Sequence, residues 1–173
     1  SFRGFDVKVV YQDKTNHHIH SVRWDPRASR LYLSFGDGHT HRGYAYSDDH
    51  GSAWTFVAQG RLDKYTDIAF TADYVFWASD TGTGRVFRTD RKTGTFEPLM
   101  GRSQFMWFAV TDLERQIYIG TVTSEKTGGE RAALLASSDQ GATWQKLMET
   151  PLSSGPYTQF FSKASITYLL SVY

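Results

Sequence analysis

Apolar residues along this chain come in short runs divided by polar, glycine-bearing stretches, and the runs arrive in pairs. Residues 20–25 (His-Ser-Val-Arg-Trp-Asp) and 30–35 (Arg-Leu-Tyr-Leu-Ser-Phe) make the first pair. Residues 66–70 with 74–78 and residues 106–110 with 116–120 make two more. The runs are rich in aromatic and β-branched side chains, and several are almost continuously apolar. That pattern predicts hairpins of strands covered on both faces. A second hairpin follows each first one, at residues 44–47 with 54–57, 85–88 with 96–99, and 133–136 with 144–147. The stretch with most helical propensity, residues 130–136, is short and lies between strand signals.

The pairs repeat along the chain. Leu31 and Val75 are 44 residues apart, and Val75 and Ile117 are 42 apart. Trp54, Phe96 and Trp144 follow one another at 42 and 48 residues. Four strands every 40 to 50 or so residues is the spacing of propeller blades; a β-sandwich does not require this period. The expected fold is all-β: a propeller of four-stranded antiparallel blades, about three full blades plus a partial one, in one domain over residues 1–173. The blades are expected at about 20–58, 65–99 and 106–149. Residues 5–11 read as an outer strand before them, and residues 157–161 and 166–173 as the two inner strands of a further blade.

The turns inside the second hairpins carry a motif. Ser137-Ser138-Asp139-Gln140-Gly141-Ala142-Thr143-Trp144 reads S-x-D-x-G-x-T-W, and residues 47–54 (Ser47, Asp49, Gly51, Trp54) repeat it with Ala53 in the threonine place. Residues 89–96 are a decayed copy, keeping Asp90, Gly94 and Phe96. Aspartate accepts from the amides of a tight turn, glycine takes positive φ without steric cost, and the aromatic residue packs below. All three aromatics are expected to be largely buried. The motif resembles the Asp-box, or BNR, repeat of sialidases and other Asp-box propellers, and the resemblance covers roughly residues 5–173. It implies that these aspartates are structural and face away from the functional side. It also implies an extracytoplasmic setting, although residues 1–4 show no signal peptide.

Composition narrows the chemistry. The chain has 173 residues, 19 Lys and Arg against 18 Asp and Glu, and 27 aromatic residues: 12 Phe, 10 Tyr and 5 Trp. A net charge of +1 with dispersed basic residues disfavours nucleic acid. No apolar run reaches the length needed to span a membrane. The absence of cysteine excludes disulfides, thiolate metal sites and a cysteine nucleophile. No phosphate-cradling glycine motif occurs, and no cofactor is expected.

In a propeller the functional face collects the loops opposite the motif turns. Blade 1 places His18, His20, Asp37, His39, His41 and Arg42 there. Blade 2 adds Tyr65, Asp67, Asp80 and Arg85, and blade 3 adds Trp107 and Arg131. His18 with His20, and His39 with His41, alternate along strands in the way of transition-metal pairs, but no third ligand has diagnostic spacing. Hydrogen-bonded channel residues are the plainer account. Sialidase chemistry requires an arginine triad, and the family's R-I-P motif is absent. Arg42, Arg85 and Arg131 lie in loops that no motif ties to such a triad. The carboxylates Asp37, Asp67 and Asp80 have no spacing that marks a catalytic pair. The reading is therefore a non-catalytic carbohydrate- or ligand-binding or structural propeller segment. Its alternatives are part of a glycoside hydrolase of exo-sialidase type, and a scaffold for protein partners. Closure of the ring is expected to come from self-association or from further blades of a longer chain.

Overall fold

A computed structural model of the chain describes residues 8–12, 19–35, 43–57, 64–79, 85–101 and 133–149, together with the backbone of 105–111, 117–124 and 157–159. Every strand pairing in it is antiparallel. Strands β1 (Ile19–Asp25), β2 (Arg30–Phe35), β3 (Tyr44–Ser47) and β4 (Thr55–Val57) form the first sheet in chain order. Strands β5 (Tyr65–Phe70), β6 (Tyr74–Ser79), β7 (Arg85–Asp90) and β8 (Phe96–Gly101) form the second. The third contains β9 (Phe105–Thr111), β10 (Ile117–Ser124), β11 (Ala133–Ser137) and β12 (Gln145–Glu149), with β13 (Tyr157–Gln159) added beside β10. The sheets are blades 1, 2 and 3. Their registers superpose, since Leu31, Val75 and Ile117 stand opposite Ser47, Thr89 and Ser137 respectively.

The blades stack face to face through the apolar side chains they turn toward one another. Tyr32 and Tyr44 of blade 1 pack on Tyr65, Ile68, Phe70 and Trp77 of blade 2. The Tyr44 and Trp77 ring centres are 4.1 Å apart, and burial pushes the Tyr44 hydroxyl up to about 12. The other face of blade 2 sets Ala69, Phe76, Ala78 and Val86 against Ala133 and Leu135 of blade 3. Polar ties cross the same seams. Arg23 grips Asp67 with two bonds of 2.7 and 2.5 Å. Arg91 Nη1 donates to Asp25 Oδ2 at 2.6 Å, and Arg88 Nη1 donates to the Gln140 carbonyl at 2.7 Å.

The motif turns of blades 1 and 3 are alike. Ser47 Oγ donates to Asp49 Oδ1 and accepts from the Gly51 amide, both at 2.8 Å, while Asp49 Oδ1 accepts from the Ala53 amide at 2.8 Å. Ser137, Asp139, Gly141 and Thr143 repeat this set, and Thr143 Oγ1 adds a bond to Asp139 Oδ2. Gly51 and Gly141 have φ of 89° and 85°. Each also lies under a neighbour: a Cβ on Gly141 would stand 2.5 Å from Leu99 of blade 2, and one on Gly51 would stand 2.7 Å from Val10.

Three expectations change. Trp54, Phe96 and Trp144 are half-buried rather than enclosed, because each covers the edge of a core cluster instead of entering it. Residues 157–159 do not begin a fourth blade. β11 pairs only with Ile117–Gly120 of the longer β10, and β13 satisfies the next stretch of that edge, Val122–Ser124. Residues 8–12 are not in a strand; they lie across blade 1, where the Trp54 indole donates to the Val10 carbonyl at 2.8 Å. Residues 166–173 lie outside the described residues.

Candidate functional site

At the end of the blades opposite the motif turns, each inner strand carries the same irregularity. In β1, Ile19 and Ser21 face the consecutive residues Phe35 and Ser34, so His20 is an extra residue. In β5, Tyr65 and Asp67 face Ser79 and Ala78, which makes Thr66 extra. In β9, Met106 and Phe108 face Thr121 and Gly120, which makes Trp107 extra. The blade registers place these three bulges at one equivalent step. A bulge bends its strand and re-aims a side chain, and bulges gather beside functional sites. Nothing in the apolar pattern marks them, because a single inserted residue leaves short runs looking unbroken.

The described residues at this rim are largely engaged. His20 Nδ1 donates to the Tyr65 carbonyl across the seam between blades 1 and 2, at 2.9 Å. Tyr65 is fully buried and serves as core, so it offers no exposed ring for a ligand. Asp67 is buried at 3% exposure, accepts the Ile68 amide at 2.9 Å and carries the two bonds from Arg23. Its carboxylate neutralises a guanidinium, which it holds in the charged form mainly through the side-chain hydrogen bond. Arg85 opens β7 rather than lying in a loop, and its side chain is exposed at the same end. Trp107 is placed by its backbone on β9. His18, Asp37, His39, His41, Arg42, Asp80 and Arg131 lie outside the described residues. Among the described residues no three histidine or acidic side chains are grouped as metal ligands.

At the other end, Ser47, Asp49, Gly51, Asp90, Gly94, Ser137, Asp139, Gly141 and Thr143 bond within their own turns. Hydrogen bonds to the carboxylates depress all three aspartates: the Ala53 amide acts most on Asp49, the Thr93 amide on Asp90, and the Thr143 hydroxyl on Asp139, which falls to about 2. Missing from the sequence reading were Arg23, Arg88, Arg91 and Asp25, whose partners are on neighbouring blades. A charged residue inside an apolar run, as Arg23 is between Val22 and Trp24, is the signal that marks one of them.

No family model and no curated protein matches the chain. Solved structures do match. The chain aligns with the GH74 xyloglucanase from Xanthomonas campestris at a TM-score of 0.61 and 17% identity, over 78% of this chain and 23% of that one. The architecture is that of β-propeller blades. The chain spans less than a quarter of the length of that glycoside hydrolase.

Proposed function

We propose that the chain forms Asp-box blades of a carbohydrate-binding propeller and does not itself carry out glycosidic cleavage. The observation that carries this reading is the row of equivalent bulges at His20, Thr66 and Trp107. It sets three equivalent backbone positions at the end of the blades opposite the motif turns, and we take that end as the rim where a propeller receives ligand. The bonding of Ser47 with Asp49, and of Ser137 with Asp139, supports the Asp-box assignment. The non-catalytic reading is supported by the engagement of one candidate carboxylate, Asp67. Glycoside hydrolysis uses two carboxyl groups, one of them able to carry a proton, whereas Asp67 is committed to Arg23. The likeness to a xyloglucanase makes a neutral polysaccharide the first ligand to test.

The test is affinity electrophoresis on xyloglucan and other β-glucans, run beside fluorogenic aryl-glycoside and sialoside assays. Retardation by a polysaccharide without release of fluorophore is expected, and Trp107→Ala should abolish the retardation. Turnover of any substrate would overturn the non-catalytic reading. A second reading, a portion of a glycoside hydrolase, is favoured by the alignment with less than a quarter of such an enzyme. It requires catalytic carboxylates other than Asp67.

A further inference from the structure

The bulge of β5 lies between Tyr65 and Asp67, and β1 grips it on both flanks. On one side His20 Nδ1 donates to the Tyr65 carbonyl at 2.9 Å. On the other the Arg23 guanidinium forks onto both carboxylate oxygens of Asp67. His20 is itself the extra residue of β1. The side chain of one bulge is therefore bonded to the backbone of the next, across the seam between blades 1 and 2. Because a carbonyl only accepts, Nδ1 carries the proton in this bond.

The seam between blades 2 and 3 cannot repeat the ion pair. The registers make Ala69 the equivalent of Arg23 and Phe108 the equivalent of Asp67, and neither side chain has a polar atom. Ladder pairing is disrupted where a bulge sits, so the shape of the bulge depends on what grips it from outside the strand. A loosely held bulge would have to be ordered at the moment of binding, and that ordering costs affinity.

We propose that His20 is a positioning residue. Acting through the Tyr65 carbonyl, with Arg23 on the other flank, it locks the bulges of blades 1 and 2 into one preorganised surface for a polysaccharide. The role rests on the reading of that end as the rim that receives ligand. His20 is half-buried and turned to the seam, so it shapes the rim from beside it.

Two measurements on the 173-residue chain test this, made on the wild type and on His20→Ala, His20→Asn and His20→Gln. Asparagine carries its amide donor at the same distance along the side chain as Nδ1, whereas glutamine carries it one bond further. The first measurement needs no ligand: it follows hydrogen exchange of the Thr66 and Asp67 amides by NMR. His20→Ala and His20→Gln should exchange about fivefold faster than wild type, the worth of one lost hydrogen bond, and His20→Asn should match wild type. The second is affinity electrophoresis on xyloglucan. There His20→Ala and His20→Gln should bind about fivefold more weakly, while His20→Asn is retarded like wild type. Melting temperatures should stay within about 4 °C of wild type. Unchanged exchange in His20→Ala would overturn the lock. Faster exchange with undiminished retardation would make the bond purely structural and overturn the positioning role alone. A wild type that no polysaccharide retards would overturn the ligand reading, and the positioning role would fall with it whatever the exchange shows.

Discussion

Blades 2 and 3 space their second hairpins alike, Thr89 to Phe96 matching Ser137 to Trp144, yet they fasten them differently. In blade 3 the turn is satisfied internally by Ser137, Asp139 and Thr143, and Leu99 of blade 2 presses onto Gly141. In blade 2 the aspartate has moved back one place. Asp90 accepts the amides of Lys92 and Thr93 at 2.8 Å, and nothing stands within 4 Å of a Cβ on Gly94. The vacated position holds Arg91, which donates to Asp25 of blade 1 and to the Thr71 carbonyl. A motif that looks eroded has exchanged an apolar contact with its neighbour for an ionic one.

The exchange is broken most severely at its charge. Asp25 is fully buried, so Arg91→Ala strands a carboxylate and should cost about 3–5 kcal/mol in urea unfolding. A loss below about 1 kcal/mol would mean that the tie is idle. Next come the glycines. Gly141→Ala combines left-handed backbone strain with a clash against Leu99 and should cost about 2–4 kcal/mol. Gly94→Ala carries the strain alone, at about 1–2 kcal/mol. Equal losses at the two sites would show that Leu99 yields freely.

A smaller effect distinguishes the turns by pH. Asp139 is depressed to about 2, below its unfolded value of about 3.9. Its stabilising contribution is present above about pH 4 and fades as the pH falls toward 2. Asp139→Asn should therefore flatten the acid limb of a melting-temperature profile between those limits, and an unchanged slope would refute the assignment. The smallest effect is Ala53→Thr, which gives blade 1 the hydroxyl that Asp139 enjoys in blade 3. Calorimetry should show a rise on the order of 1–2 °C.

Local features were legible in the sequence. The strands of blades 1 and 2 follow apolar runs, and the Ser47 and Ser137 turns follow from bonds spanning four residues or fewer. Contacts between blades were not. Asp67 looked like a ligand-facing carboxylate because the sequence does not show that Arg23, 44 residues earlier, lies across from it. Arg91 and Asp25 are 66 residues apart. The bulges at His20, Thr66 and Trp107 escape periodicity because a bulge alters register without altering composition. The seating of β13 on β10 depended on how far β10 outruns β11, which is a matter of pairing geometry.

β5 is buried at all six positions, Tyr65 to Phe70, with side chains of its own blade and blade 1 on one side and blade 3 on the other. Solvent reaches its amides only after a neighbouring blade has come away. Opening is therefore ordered in space, beginning at the ends of the row and arriving at β5 last. In deuterium the amides of Ile68 to Phe70 should report the free energy of global unfolding, while those of β4 and β12, whose residues are mostly exposed, exchange through local opening. The middle strand acts as a gauge for the whole stack: the degree of its protection measures how rarely the blades come apart.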